Sequence, residues 1–154
     1  MKENKLSEHK MKFSQITSLK DPDISHLLDV HMSPEVSHFI DIDEKKYFKF
    51  IVENKNAFYY KIFDKDTLVG SVHCELSGKT MYLSLLIFPE YQNKDYGTKT
   101  LEDIISKKIS LDFETIEVAI NDDNFPSLHL FEKVGFIRTS VDGGLINYTF
   151  NCEV

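Results

Sequence analysis

The stretch IFPEYQNKDYGTKTLEDII, residues 87–105, joins the end of an apolar run to the start of a helical pattern. The run Met81–Phe88 is apolar except for one serine, which predicts a buried central strand that Pro89 ends. Apolar residues then recur at helical spacing and predict a helix from about Asp95 to Ser110. The polar loop Gln92–Gly97 connects the two elements.

Such a loop can hold an anion, because the first amides of a helix lack intrahelical partners and the helix dipole is positive there. Gly97 would let a ligand approach the backbone closely, since glycine has no Cβ atom. The loop alone still favours an ordinary strand-to-helix connection, so a ligand site needs support from elsewhere in the sequence.

The flanking patterns predict a single α/β domain, residues 11–154, behind a flexible tail of residues 1–10. Helices are expected to begin at Asp21, Ser33 and Asp43, and a further helix at Asn124 is expected to end at Gly135. The predicted strands are residues 11–17, 57–63, 68–76, 81–88, 113–120, 136–141 and 145–151. The third of them should have one wet face, which carries Ser71, His73 and Glu75.

Composition narrows the class of protein. A net charge of −7 argues against nucleic acid as a partner, because phosphate backbones select basic surfaces. The two cysteines make a disulfide framework unlikely for this chain, and the polar N-terminus has no apolar signal core. We therefore expect a soluble, cytoplasmic protein that neither crosses nor binds a membrane.

Two nucleotide-binding motifs can be excluded. A P-loop needs Gly-Lys-Thr in direct succession, but Thr98 separates Gly97 from Lys99. The chain also lacks the G-x-G-x-x-G fingerprint of dinucleotide-binding domains.

Two other motifs match one family. Tyr91–Thr98, followed by Leu101, resembles the pyrophosphate-binding motif of the GNAT superfamily of N-acetyltransferases: Gln or Arg, two residues, Gly, one residue, then Gly or Ala. Asn124–Phe136 resembles the second signature of that family, in which Asn and a small residue precede Leu-Tyr-Glu-Lys-x-Gly-Phe. The predicted order of elements agrees with the GNAT fold, a mixed, mostly antiparallel sheet flanked by helices. Ser33–Val36 loosely resembles the branch that acetylates ribosomal-protein N-termini.

The resemblance implies acetyl-coenzyme A as cosubstrate, a primary amine as acceptor and no metal. It implies that loop amides hold the pyrophosphate, that the central strand pairs with the pantetheine arm, and that Asn124 bonds the arm from the other side. Homodimers are common in the family, and the last strands could pair between subunits. The cofactor-binding residues it implies are Leu85, Leu86, Ile87, Gln92, Asn93, Lys94, Asp95, Tyr96, Gly97, Thr98, Asn124, Ser127 and Phe131.

The sequence departs from the family at the residue that protonates the leaving thiolate. Phe131 stands where the family often has a tyrosine, and a phenyl ring has no proton to give. We expect Phe131 to pack beside the arm. Tyr148 is the proposed substitute acid, and Tyr96, Ser84 and water remain alternatives. His73 and Glu75 are candidate proton acceptors, although a solvent-facing strand edge is the ordinary interpretation of both.

A second departure is Asp95, which replaces the first glycine of the motif. A carboxylate roughly 4 Å from a phosphate charge is repelled by about 4 kcal/mol at an effective dielectric near 20. Aspartate tolerates the left-handed backbone that glycine usually supplies. We therefore expect its side chain to point outward, with Lys94 offsetting part of its charge, while its amide faces the ligand.

Asp95 and Phe131 together support an alternative function. The chain could be a GNAT-like module that binds an acyl-coenzyme A but catalyses little, as a sensor or interaction domain.

Overall fold

The computed structural model describes residues 9–152. Its seven-stranded sheet has the order β1-β2-β3-β4-β5-β7-β6. The strands are β1 Met11–Gln15, β2 Ala57–Asp64, β3 Thr67–Ser77, β4 Thr80–Ile87, β5 Thr115–Asn121, β6 Ile137–Asp142 and β7 Leu145–Asn151. The helices of the described residues are α1 Ile24–Met32, α2 Pro34–Ser37, α3 Tyr47–Glu53, α4 Tyr96–Ile105 and α5 Phe125–Val134, with a 3₁₀ turn at Pro89–Tyr91.

The sheet is mixed and mostly antiparallel, as predicted. Strand β4 lies at its centre, and the pairing of β4 with β5 is parallel, whereas every other neighbouring pair of strands is antiparallel. Strand β6 is an edge strand on which Ile137 and Val141 are exposed. Pairing of the last strands between subunits remains a prediction.

Each face of the sheet has its own hydrophobic core. On one face, Val72 and Cys74 of β3 pack in a core with Leu101 and Ile104 of α4 and Phe131 of α5. On the other face, a second core joins residues of β2 and β4 to α1, α2 and α3. It contains Tyr59, Leu86, Leu27, Val36, Phe48 and Ile51.

The prediction of a wet face on β3 was wrong. Ser71 is buried, and the side chain of His73 is only 12% exposed, because α1 and α3 cover this face. Of the three residues, Glu75 alone keeps an exposed side chain, at 48%. The alternation in the sequence was real, but it marks a buried polar layer between strand and helices.

Three helix boundaries also differ from the prediction, and one of them is the helix expected at Asp43, which begins at Tyr47. Helix α4 ends at Ile105, before the predicted Ser110, because Lys107 adopts a left-handed backbone with φ of 65°. Ile109 fits the apolar spacing of the helix, but it lies in the loop after α4. It is apolar because it is buried there. Helix α1 begins at Ile24, since the Asp21 carboxylate accepts a hydrogen bond from the amide of Asp23 in a turn before the helix.

The predicted tail overlaps the described residues at His9 and Lys10, while residues 1–8 lie outside them. Lys10 is held against the end of β2. Its amide donates to Oδ1 of Asp64 at 2.9 Å, and its carbonyl accepts the amide of Lys65 at 2.9 Å.

A buried ion pair attaches α1 to the sheet. Nζ of Lys61 on β2 lies 3.0 Å from Oδ1 of Asp21 and 2.8 Å from Oδ2 of Asp23, and the Lys61 side chain is 8% exposed. Burial lowers the pKa of Lys61, but the bonds from Asp23 and Asp21 outweigh that effect and raise it above its ordinary value. The ammonium therefore stays charged and holds the start of α1.

Replacing Lys61 with methionine (Lys61→Met) should reduce the free energy of unfolding by about 2–4 kcal/mol, because it leaves two partly buried carboxylates without their counter-ion. Urea denaturation followed by circular dichroism measures the change. The matched control is Lys49→Met, which breaks an exposed pair with Glu53 and should cost less than about 1 kcal/mol. Equal losses in the two variants would contradict a special role for Lys61.

Candidate active site

The sheet opens between β4 and β5. Their parallel ladder pairs Thr80–Tyr82 with Thr115–Glu117 and covers no further residues of β4. The amide of Phe88 donates to the carbonyl of Val69 at 2.9 Å, and bonded positions alternate along an antiparallel ladder. The backbone groups of Leu85 and Ile87 therefore point away from β3, into the gap.

Leu85 and Ile87 thus lie where an extended ligand could pair with β4. Gln92 already uses one of these groups, because its Nε2 donates to the carbonyl of Ile87 at 3.1 Å. The structure places Leu86 differently: its backbone is directed to β3, and its side chain packs in the second core. Of the three predicted strand residues, only Leu85 and Ile87 present their backbone N–H and C=O groups to the gap.

The predicted loop lies at the open end of this gap. Asn93 and Asp95 have left-handed backbones, with φ of 63° and 68°, and the residues before each of them are exposed. Left-handed residues in a turn can direct neighbouring amides to one side, as they do in the concave anion sites formed by backbone N–H groups. The Asp95 side chain does not cap α4, and Lys99 is the first residue of that helix whose amide bonds back to Asp95, at 3.0 Å.

Asp95 adopts the left-handed backbone that we expected of it. Lys94 forms no ion pair with Asp95 in the described part of the chain; its ammonium lies 5.7 Å from the centre of the Tyr91 ring. Partial neutralisation of Asp95 by Lys94 remains a prediction.

Gly97 lies at a close contact between helices that the sequence did not predict. A Cβ atom at this position would lie 2.8 Å from Cδ2 of Leu130 on α5, so a larger residue would require the Leu130 side chain to move. The expectation that Gly97 makes room for a ligand remains a prediction. Two further loop residues, Tyr96 and Thr98, are buried, so only their amides can face a ligand.

The second motif spans α5, which follows β5 on the other side of the gap. Asn124 is the N-cap of this helix, and its Oδ1 accepts the amide of Ser127 at 3.4 Å. That bond uses only the side-chain oxygen, so the side-chain nitrogen Nδ2 of Asn124 can donate to another group. Phe131 is 2% exposed and packs edge-on against Phe136, with ring centres 4.9 Å apart.

On the opposite face of the sheet, His73 is held between two groups. The Tyr47 hydroxyl lies 2.8 Å from Nδ1 of His73, and Oε2 of Glu75 lies 3.3 Å from Nε2, outside hydrogen-bond geometry. Burial, and then the nearby Tyr59 and Glu75, raise the pKa of Tyr47. Tyr47 therefore keeps its proton and donates a hydrogen bond to Nδ1 of His73. A neutral His73 then carries its own proton on Nε2, beside Glu75.

A second histidine completes this buried polar layer. Nε2 of His31 on α1 lies 2.9 Å from the Tyr59 hydroxyl, which donates to Oγ of Ser71 at 2.6 Å. Burial, and to a smaller extent the neighbouring His73, lower the pKa of His31 to about 4. Burial also lowers the pKa of His73, although Glu75 acts in the other direction. Both imidazoles are therefore neutral at pH 7.

Sequence reasoning placed Ser71 on one strand face with His73, but it did not find Tyr47 or Tyr59 as members of this layer. His31 is buried beside them. No local signal links residues on α1, α3, β2 and β3, since their proximity depends on strand register and on how the helices pack. The one sequence signal for this layer was the alternation of polar residues along β3, in a chain whose preceding helices are rich in aromatic residues.

Tyr148 lies apart from His73 and Glu75. It pairs with Val118 on β5 and is fully buried in the core beneath α4 and α5, which is the other face of the sheet. Its hydroxyl donates to the Glu132 carboxylate and accepts from the guanidinium of Arg138 at 3.5 Å. The three predicted catalytic residues therefore do not form one cluster.

Residues 9–152 contain no group of three or more His, Cys, Asp or Glu side chains arranged to hold a metal ion. Within the same residues, no helix is both long and apolar enough to cross a membrane.

Comparison with solved structures supports the fold. A domain from Methanocaldococcus jannaschii DSM 2661 has a TM-score of 0.77 at 22% identity, over 93% of this chain and 99% of that chain. The N-acetyltransferase PseH of Campylobacter jejuni, in complex with acetyl coenzyme A, has a TM-score of 0.75 at 15% identity, over 92% and 99%. Spermidine N-acetyltransferase of Vibrio cholerae, in complex with CoA and spermine, has a TM-score of 0.74 at 14% identity, over 90% and 95%.

Identities this low establish a shared fold and nothing finer. None of the curated proteins compared with this chain is significantly similar to it. A family model is the more specific finding: the model of the acetyltransferase (GNAT) family matches residues 23–136, which include both motifs and most of the chain. The chain belongs to the GNAT family of acetyltransferases.

Proposed function

We propose that this protein transfers the acetyl group of acetyl-coenzyme A to a primary amine, by direct attack within a ternary complex. The observation that carries the proposal is the gap between β4 and β5, which ends at a loop of left-handed residues and uncapped helix amides. An extended arm that ends in a pyrophosphate matches this combination. Two structures of similar fold contain acetyl coenzyme A or CoA.

In the proposed complex, amides of residues 92–98 bind the pyrophosphate, and the backbone of Leu85 and Ile87 pairs with the pantetheine arm. The side-chain nitrogen Nδ2 of Asn124 donates to the arm from the α5 side. The thioester then lies near the closed end of the gap, where Tyr82 still pairs with Glu117. His73 and Ser84 are direct cross-strand partners next to this point, on the face of the sheet that α1 and α3 cover, where the acceptor amine would bind.

The reaction forms a C–N bond and breaks a C–S bond. The amine nitrogen attacks the thioester carbon, and a backbone N–H of β4 stabilises the oxyanion that develops. Collapse of this intermediate expels the thiolate, and the amine loses one proton. A thiol has a pKa of about 8.5, so the thiolate is a fairly stable leaving group that water can protonate.

We assign proton acceptance to Glu75, with His73 and Tyr47 as positioning residues. Glu75 is half exposed and can meet a protonated amine, whereas His73 is nearly buried. The Tyr47 bond favours the His73 tautomer that carries its proton on Nε2, which lies 3.3 Å from the Glu75 carboxylate. Tyr148 is a weaker candidate for the acid that protonates the thiolate. Its hydroxyl lies on the opposite face of the sheet from His73 and already donates a hydrogen bond to Glu132.

A catalytically weak acyl-coenzyme A sensor is the alternative function, and Asp95 and Phe131 favour it. Both functions require binding of the cofactor, and they differ in turnover. The acceptor amine, the cytoplasmic location and the kinship with ribosomal-protein acetyltransferases remain predictions.

The purified protein should bind acetyl-coenzyme A in isothermal titration calorimetry and acetylate at least one amine of a panel that spans peptides, amino acids and polyamines. Mass spectrometry detects the acetylated products. Absence of binding at millimolar ligand would refute the proposed function, and binding without turnover on any amine would favour the sensor.

Glu75→Gln should lower kcat by about 100-fold, the usual contribution of a positioned proton acceptor, and leave the KM for acetyl-coenzyme A unchanged. Glu53→Gln, which changes an exposed carboxylate on α3, is the matched control and should retain activity. A kcat close to that of the control would remove Glu75 from the mechanism.

The positioning role of Tyr47 is tested with the same assay. Burial holds the pKa of His73 below its ordinary 6.5, so the inflection of kcat/KM that reports protonation of His73 should lie below pH 6.5. Tyr47→Phe removes a donor that stabilises the neutral imidazole, so the inflection should move to higher pH. An unchanged pH profile would mean that Tyr47 supports packing alone.

Asp95→Asn and Asp95→Gly separate charge from backbone conformation at the loop. Asparagine keeps the side-chain shape and tolerates the left-handed backbone, but it carries no charge. If the carboxylate repels the pyrophosphate, both variants should lower the Kd for acetyl-coenzyme A by about three- to tenfold, as expected for a charge directed away from the ligand. Tighter binding by the glycine variant alone would identify backbone strain as the cause.

A further inference from the structure

Tyr96, the first residue of α4, is tied to the far end of β2. Its hydroxyl donates to Oδ2 of Asp64 at 2.6 Å, and the other oxygen of Asp64 accepts the amide of Lys10 at 2.9 Å. Burial, and then the neighbouring Asp64, raise the pKa of Tyr96 to about 12. Burial alone would raise the pKa of Asp64, but the bonds from Tyr96 and Lys10 and the nearby His9 lower it below its ordinary value. At neutral pH the pair is a protonated phenol on a charged carboxylate.

His9 covers this pair and reaches the loop. Its ring stacks on the Tyr96 ring, with centres 4.1 Å apart and an interplanar angle of 20°. Nε2 of His9 lies 2.6 Å from the carbonyl of Lys94, and Nδ1 lies 3.4 Å from Oδ2 of Asp64. The segment before β1 therefore touches the loop backbone directly.

The two attachment points lie on either side of Asp95. One is the Lys94 carbonyl and the other is the Tyr96 side chain, so the left-handed Asp95 is held from both neighbours. Residues other than glycine adopt this backbone region uncommonly. Such a conformation persists where the surrounding structure enforces it. The Asp95 side chain makes no capping bond to α4 that could otherwise fix this turn.

We propose that His9, Asp64 and Tyr96 form a latch that holds the loop 92–97 in its anion-binding conformation, so that residues ahead of β1 set the affinity for acetyl-coenzyme A. This inference rests on the proposed function of the loop. The three side chains are positioning residues: they act on the amides that face the pyrophosphate and do not themselves touch the reacting atoms.

Tyr96→Phe is the decisive variant, because it removes one hydroxyl and keeps the ring that stacks on His9. The KM and Kd for acetyl-coenzyme A should rise about tenfold, the effect of losing a hydrogen bond to a charged group. The kcat at saturating cofactor and the KM for the amine should not change. Hydrogen exchange of the loop amides should accelerate in the protein without ligand.

His9→Phe tests the other attachment, since it keeps the stacked ring and loses the bond to the Lys94 carbonyl. Its cofactor KM should rise, and that of His9→Ala should rise at least as much. The matched controls are Tyr60→Phe, at a buried tyrosine of β2, and Asp112→Asn, which breaks an ion pair with Lys79 in the connection after α4. Both should keep the wild-type KM.

The outcomes separate the latch from the proposed function. A wild-type protein that does not bind acetyl-coenzyme A refutes the function. Wild-type binding together with an unchanged KM and unchanged loop exchange in Tyr96→Phe and His9→Phe refutes the latch. A fall in kcat without a change in cofactor KM would likewise overturn it, because it would place these residues in the chemical step.

Discussion

The molecule depends on one constraint: the parallel pair β4–β5 is joined over only three residues of each strand before the strands diverge. Backbone groups in a sheet need partners, and the divergence leaves one edge of the central strand open within the sheet itself. An extended ligand with amide groups can satisfy that edge as an added strand would. The loop with the left-handed residues Asn93 and Asp95 follows this open edge, so one break in strand pairing brings an unpaired strand edge and the start of a helix together.

The two faces of the sheet have different physical tasks. Beneath α4 and α5 the core is apolar, and Phe131 contributes packing where the family often has a proton donor. Beneath α1 and α3 the second core borders a buried polar layer with His31, Tyr47, Tyr59 and His73. Burial of polar groups is costly unless they find partners, and here each hydroxyl bonds an imidazole or another hydroxyl. Burial lowers the pKa of both histidines, so the imidazoles of this layer are neutral at pH 7.

Sequence patterns predicted most of the elements because local rules governed them. Pro89 ended β4, Asn124 capped α5 and Gly135 closed that helix, each as side-chain chemistry dictates. The errors arose where distant residues decided the outcome. Lys61 pulls Asp21 and Asp23 into a turn before α1, and α1 and α3 bury the strand face that alternation had indicated as wet.

By itself the sequence determined the family, the order of the strands and helices, and the loop with its left-handed aspartate. These follow from motifs and periodicities that lie within short stretches of chain. Tertiary structure alone decided that Gly97 lies against Leu130, that Tyr148 and His73 lie on opposite faces, and that His9 reaches the loop. Each of these depends on the register of strands or on the packing of elements far apart in sequence, and no local pattern encodes such distances.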